Sequence, residues 1–251
     1  MLTPERHKLI VDLVKEKNVV KIQELVEVTN SSESTIRRDL TLLEDEKQVK
    51  RIHGGAAKLK GKLIEPDLIE KSAANLLAKK LIAKHAASLI ENGDSIFLDA
   101  GTTTLQMVPY LTNAENIVVV TNSISLIQPL IEKNIKTFLI GGYIKPRTAA
   151  MVGRGAIEGI KNYRFDKAFL GANGIHHELG YTTPDPDEAN IKRFAVSLSR
   201  EPFILADSSK LGEVSFSNIA DLEEAVIITD EENISIDLES YQGKTEIKVV
   251  K

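Results

Sequence analysis

The chain has 251 residues, 42% of them apolar, 27% charged and 5% aromatic, with a formal net charge of −4. That length fits one or two domains with a sizeable core, and the composition excludes collagen-like, mucin-like and wholly disordered chains. Cysteine is absent, which excludes a disulfide scaffold, thiolate metal sites and cysteine nucleophiles. The longest unbroken apolar run is four residues, as in Ile117 to Val120, so nothing is expected to span a bilayer. The opening MLTPERHKLI lacks a signal-peptide core, and a cytoplasmic protein without membrane contact is expected.

Charge is unevenly distributed. Residues 1–60 carry 12 Lys and Arg against 10 Asp and Glu, whereas the remaining 191 residues carry 20 against 26. The basic end opens on Pro4 and Glu5, a helix start, and Leu9, Ile10, Leu13 and Val14 then place one apolar stripe on a helix over 5–17. Ile22, Leu25 and Val26 mark a second helix. Asn30-Ser31-Ser32 is a turn with Ser32 as the N-cap of a third, whose inner face is Ile36, Leu40 and Leu43. VKRIHGG, 49–55, reads as a strand and a glycine turn, so the first 58 residues form a winged helix-turn-helix.

On the outer faces of the third helix lie Ser34, Thr35, Arg37, Arg38 and Thr41, which suit base edges and phosphates in a major groove. Asp39 is expected to offset part of their field, while Lys50, Arg51 and His53 of the wing reach an adjacent phosphate or minor groove. Read from charge alone, a small protein–protein module with a solvated arginine pair fits the same residues.

Residues 59–75 read as a connector with Gly61, Pro66 and mixed charges. Beyond it, over 76–251, apolar runs alternate with amphipathic stretches at 76–91 and 187–200. The runs are SIFLDAG (95–101), NIVVVTN (116–122), KTFLIGG (136–142), KAFLGANG (167–174), PFILADSS (202–209), EAVIITD (224–230) and EIKVV (246–250). Buried strands with helical crossovers predict an α/β domain with a mostly parallel sheet.

In such a sheet ligands bind beyond the carboxyl ends of the strands. At those ends stand Asp99, Gly101, Thr102, Thr103 and Thr104, then Thr121 and Asn122, Gly142, Asn173, and the Asp207–Lys210 stretch. A helix starting at LDAGTTT offers free N–H groups, a positive dipole end and three hydroxyls to a phosphate or sugar. The bare alternative is a threonine-capped helix with nothing bound. A domain of net charge −6 needs local cations to hold an anion. Lys192, at the start of a helix-like stretch, Lys210, and Arg147 and Arg154 flanking a Gly-rich loop are the candidates, each of which could instead form a surface ion pair. Asp185 and Glu188, with Asp187, form an acidic cluster that reads either as solvated loop residues or as acceptors of sugar hydroxyls, rather than as a metal cage. His176-His177 reads as a turn rather than a metal site, and Met107 and Tyr110 as core. No metal and no cofactor are expected. A sugar-phosphate isomerase using a carboxylate of 185–188 as general base beside Lys210 remains the enzyme alternative.

The stretch SSESTIRRDLTLLEDEKQVKRIHGGA resembles the recognition helix and wing of the DeoR family of transcription regulators. Thr35, Arg37, Arg38, Asp39, Leu40, Leu43, Glu44, Gly54, Gly55 and Ala56 stand where that family's pattern has them. DAGTTT, TNS, GG, KAFLGANG, YTTPDPDEANIK and ADSSKLG follow in the family's order, so the resemblance covers nearly the whole chain. It implies an effector domain similar to the ribose-5-phosphate isomerase and CoA-transferase folds, and it favours Lys192 and Lys210 as the cations. It also implies a regulator with no catalytic residue, released from double-stranded operator DNA by a phosphorylated sugar. Within the family the chain is most similar to fructose-operon repressors, which makes fructose 1-phosphate the expected effector. One recognition unit reads only a few base pairs, so a homo-oligomer, dimer or tetramer, is expected.

Overall fold

Three helices and a three-stranded sheet build the first of two units, Met1–Gly61, in the computed structural model; the second is Lys62–Lys251. The structure describes residues 2–17, 19–46, 48–52, 54–57, 61, 67–232 and 238–251. In the first unit α1 spans Thr3–Lys17, α2 Ile22–Thr29 and α3 Glu33–Asp45. Strands β1 (Val19–Lys21), β2 (Lys50–Ile52) and β3 (Gly55–Ala57) pair antiparallel in the order β1-β3-β2. Ile10, Val14, Leu25, Ile36, Leu40 and Leu43 fill its core. Ser32 caps α3 by accepting from the Thr35 N–H at 3.2 Å. The expected wing is therefore two strands, and a third, β1, precedes α2.

The second unit opens on α4 (Leu68–Ala73), capped by Asp67, whose carboxylate accepts from the Glu70 N–H at 2.8 Å. After α5 (Leu76–Ser88), the chain alternates as expected. Strands β4 (Ser95–Leu98), β5 (Val118–Thr121) and β6 (Lys136–Leu139) are separated by α6 (Thr102–Leu105) and α7 (Ile127–Glu132). A hairpin follows, β7 (Tyr143–Lys145) and β8 (Ala150–Val152), then α8 (Arg154–Ile160) and β9 (Phe165–Gly171). Next come β10 (Gly174–His176), β11 (Gly180–Thr183), α9 (Pro186–Ser197), β12 (Ser199–Leu205), β13 (Ser217–Ala220), β14 (Val226–Asp230) and β15 (Ile247–Val250).

All seven apolar runs enter one sheet, ordered β15-β14-β12-β9-β4-β5-β6, with every neighbouring pair parallel. Each inner strand is covered on both faces, which is why it reads as an unbroken apolar run rather than an alternation. Phe97, Val120, Ile140 and Phe165 face the layer containing α9, whereas Ile96, Leu98, Val119 and Phe203 face α5. Phe97 is fully buried against Phe165, ring centroids 5.5 Å apart, and burying such a side chain contributes about 1.5–3 kcal/mol.

The strand order reverses between β4 and β9. From β4 the chain moves outward through β5 to β6, then returns to the other side of β4 and moves outward again. That reversal is a topological switch point, where the loops leaving two adjacent strands diverge and leave a crevice.

Candidate functional site

In the first unit, α3 presents Ser34, Arg37, Arg38 and Thr41 to solvent, with Thr35 half-buried. Their arrangement is set by short local bonds. The Ser32 hydroxyl contacts those of Ser34 (2.9 Å) and Thr35 (2.8 Å). Arg37 donates to Glu33 one turn earlier at 2.6 Å, and the Thr41 hydroxyl donates to the Arg37 carbonyl at 3.0 Å. The wing joins this face: Arg51 donates to the Thr41 hydroxyl at 3.0 Å, and its N–H donates to the Glu44 carboxylate at 2.8 Å. Lys50 sits beside it on β2, half-buried, and His53 lies outside the described residues. Among the described residues Arg38 makes no side-chain hydrogen bond, and it is exposed.

Asp39 is a correction to the expected surface field. It is buried, accepting from Arg6 (3.1 Å) and His7 (3.0 Å), so it ties α3 to α1 instead of shading the arginines. Burial pushes the Asp39 carboxyl up, but hydrogen bonds from Arg6 and His7 outweigh it and hold the group below the ordinary carboxylate range.

In the second unit, the switch point holds a buried ion pair. Asp99, just past β4, pairs with Lys192, and its carboxylate also accepts the Gly171 N–H from the end of β9 at 3.1 Å. Lys192 further donates to the Gly171 carbonyl at 2.9 Å. Lys192 stands one turn past Glu188 on α9, whose start at Pro186 is earlier than the sequence implied. On the same helix Asp185 caps the N-terminus, accepting from the N–H groups of Asp187 (2.9 Å) and Glu188 (3.0 Å). Glu188 is buried and accepts from Lys145 (3.0 Å) and Thr148 (2.7 Å) of the β7–β8 hairpin. Burial raises the Asp185 carboxyl, yet the Lys145 and backbone hydrogen bonds prevail and lower it. A general base needs a carboxyl free and tuned upward; these carboxylates are engaged and, at Asp185, tuned downward.

The neighbouring loops are tied to one another by their own polar groups. Asn122 accepts the Ala100 N–H at 2.9 Å, and its backbone carbonyl accepts from Met151 at 2.7 Å. Thr104 donates to the Asp99 carbonyl at 2.7 Å, and Thr121 to that of Leu98 at 2.6 Å. Asn173 accepts from the Thr183 hydroxyl at 3.1 Å. Gly142 has φ +150°, and a Cβ there would meet the Val152 carbonyl at 2.6 Å, so its role is to let the hairpin turn back. By contrast Thr102 and Thr103, at the first turn of α6, are buried with no side-chain hydrogen bond among the described residues.

A second cluster lies at the end of β12 and was not visible as one in the sequence. The Asp207 carboxylate accepts from Asn75 (2.8 Å) and from the Ser209 N–H (3.2 Å). Asn75, at φ 52°, is the left-handed residue between α4 and α5. Lys79 of α5 is buried, 6% exposed, and donates to the Lys71 carbonyl of α4. Among the described residues no carboxylate lies within ion-pair distance of it. Burial pushes the Lys79 ammonium down, and repulsion from Lys210 and Lys71 adds to this against the attraction of Asp207. Lys210, half-buried, helps hold the Asp207 carboxyl low against its own burial. Both α4 and α5 pack against α6, whose first turn carries Thr102 and Thr103. The helical period did carry a signal for it: Lys79 shares one face with Ala83 and Ala86, unlike Lys80.

Both units match family models: the DeoR-like helix-turn-helix domain over residues 6–61 and the DeoR C terminal sensor domain over 74–231. The chain belongs to the DeoR family. It is a DeoR-family transcriptional regulator with a helix-turn-helix unit and an α/β sensor domain. It is 54% identical, over 100% of both chains, to the uncharacterized HTH-type transcriptional regulator FruR of Bacillus subtilis. It is 34% identical to a lactose phosphotransferase system repressor of Staphylococcus epidermidis, over 90% of this chain and 91% of that one. Ribose 5-phosphate isomerase A of Methanocaldococcus jannaschii is similar over 55% of each chain, with 19% identity and a TM-score of 0.42. No helix among the described residues of this DeoR-family chain is long and apolar enough to cross a membrane.

Proposed function

We propose that this DeoR-family regulator is a cytoplasmic repressor of a sugar-utilisation operon, released from operator DNA by a phosphorylated sugar. The reading assigns no catalytic residue, resident cofactor or metal. The observation that carries it is Lys79: a buried ammonium with no carboxylate within ion-pair distance among the described residues, close enough to Lys210 to feel its charge and carried on a helix that packs against α6. A phosphate dianion placed there meets two ammonium groups, the free N–H groups of a helix start and the Thr102 and Thr103 hydroxyls. Lys192 is already matched by Asp99, so it orients that carboxylate while Lys210 and Lys79 take the phosphate. The sugar hydroxyls then face Asp99, Asn122, Asn173 and Asp207. The lactose phosphotransferase system repressor among the relatives supports the repressor and sugar class. Fructose 1-phosphate follows from the resemblance to fructose-operon repressors.

Release requires the sugar to bind the DNA-competent and incompetent states unequally. Two bonds hold this region to the second cluster: Lys79 to the Lys71 carbonyl of α4, and Asn75, which leads from α4 into α5, to Asp207. A phosphate that recruits Lys79 competes with the first, and a sugar hydroxyl at Asp207 competes with the second. Loss of these bonds is the route this reading assigns from the bound sugar to release. The test titrates a preformed complex with labelled operator, followed by anisotropy, using fructose 1-phosphate, fructose and inorganic phosphate. Release by the first at concentrations where the other two are inert is the expected result. Equal release by all three, or by none, overturns it.

A further inference from the structure

The two edges of the seven-stranded sheet differ. Among the described residues, six exposed large apolar side chains fall within 124–144: Ile124, Ile131, Phe138, Leu139, Tyr143 and Ile144. They surround edge strand β6. On the adjacent β5, Val119 and Val120 are 0% and 2% exposed; on β6, Phe138 and Leu139, which point to opposite faces, are each 39% exposed. Phe138 rests partly on Tyr163 (centroids 5.7 Å apart), and α7 packs beside the strand on the other face. Tyr143 and Ile144, on β7, continue the apolar surface two residues past Gly142, and Ile124 joins it through its N–H bond to Ala149 in the β7–β8 turn (3.1 Å). The opposite edge strand, β15, exposes one such side chain, Val249.

An edge strand carries a row of unpaired N–H and C=O groups, and proteins guard such edges with charge, proline or cover. Here the strand's one charge, Lys136, lies over the Phe138 ring, 5.6 Å from its centroid, and Phe138 and Leu139 still leave apolar surface on both faces. Counting about 200 Å² for a large apolar side chain, the six expose on the order of 500–600 Å² per copy, so backbone and polar rim bring the patch near the roughly 800 Å² per partner of a stable interface. Pairing β6 of one chain with β15 of the next would be head-to-tail and would not close, whereas β6 with its own copy is isologous and closes at two. A closed pair is also what two operator half-sites require.

We propose that β6, flanked by α7 and β7, is the surface through which two copies of this chain pair about a two-fold axis, strand against antiparallel strand. The sheet then runs continuously through both copies, with Phe138 and Leu139 covered on its two faces.

Antiparallel pairing about a two-fold places one residue of the strand opposite itself, with Cβ atoms about 5 Å apart. The natural chain has no cysteine, so a single introduced thiol reports on that position alone. The full-length variants Thr137→Cys, Phe138→Cys and Leu139→Cys, each oxidised mildly, should include one that forms a covalent dimer. Light scattering of the unmodified chain should give a multiple of the monomer mass, and Tyr143→Lys with Ile144→Lys should halve it while leaving thermal unfolding cooperative. These two positions are already exposed, so their substitution does not threaten the fold. Absence of a covalent dimer in all three cysteine variants, an unchanged mass in the lysine variant, or a monomeric unmodified chain at micromolar concentration overturns the assignment.

Discussion

The winged unit and the sensor sheet handle charge in opposite ways. On α3 the functional cations stand outward and the one buried acid, Asp39, is spent on holding α1 and α3 together. In the sensor the groups that matter are inside: Asp99 against Lys192, Asp207 against Asn75, Lys79 against a carbonyl. Reading a polyanion needs cations standing in solvent, because DNA presents its charge as an extended surface. Sensing a small anion needs cations already stripped of water, where one added charge alters several bonds at once.

The sharpest way to break that contrast is to remove the outward charges. Replacing Arg37 and Arg38 with alanine should abolish operator binding by gel shift, while calorimetry finds sugar-phosphate affinity unchanged. Retained operator affinity would remove α3 from the groove. Next in size is Asp39→Asn, which removes the buried negative charge facing Arg6 and His7 and should lower the stability of the winged unit by about 3 kcal/mol, read by chemical unfolding. Because the folded Asp39 carboxyl lies below its ordinary value, its contribution is full above pH ~4 and is lost as pH falls through the lower folded value. An unfolding free energy flat with pH across that window would show that the bond adds nothing.

Inside the sensor the expected effects are smaller. Lys210→Met and Lys79→Met should each weaken the sugar phosphate by on the order of 1.5–3 kcal/mol, the range for a hydrogen bond to a charged group. Operator affinity without effector should be nearly unchanged for Lys210→Met, so it stays bound at concentrations that release the natural chain. Lys79→Met also severs the bond to α4, so it should shift operator affinity even without sugar; a Lys79 variant that matches Lys210→Met in both assays would separate phosphate binding from coupling to α4. Last is Thr102→Val, losing one neutral hydroxyl and about 1 kcal/mol of effector affinity, measured by the same titration.

Legibility followed the same divide. The α3 face was readable because the helical period alone decides which of its residues point to solvent. The seven strands of the sheet were readable because burial on both faces writes unbroken apolar runs. Their order was not: β4 lies beside β9 through a return connection that no local period encodes. The β7–β8 hairpin escaped because Tyr143-Ile144-Lys145 is short and two of its three residues are exposed, and β1 because three residues between two helices carry no alternation. Candidate residues named one by one at strand ends split into two clusters only in three dimensions. Asp185 and Glu188, expected to accept hydroxyls, face Lys145. Asn75 and Lys79 lay in or beside a stretch read as connector and amphipathic helix, and their importance comes from a strand end more than 120 residues later.

The return from β6 to β9 also sets a timetable. The winged unit has all its strands by Ala57, and its contacts are local enough for rapid folding. The centre of the sensor sheet pairs Phe97 with Ala168, so it stays unfinished until β9 has been synthesised, and its far edge until Val250. At roughly 5–20 residues per second of synthesis, the interval between the two is on the order of ten seconds or more. During it, each new molecule carries a completed winged unit ahead of a sensor sheet that is still without its centre.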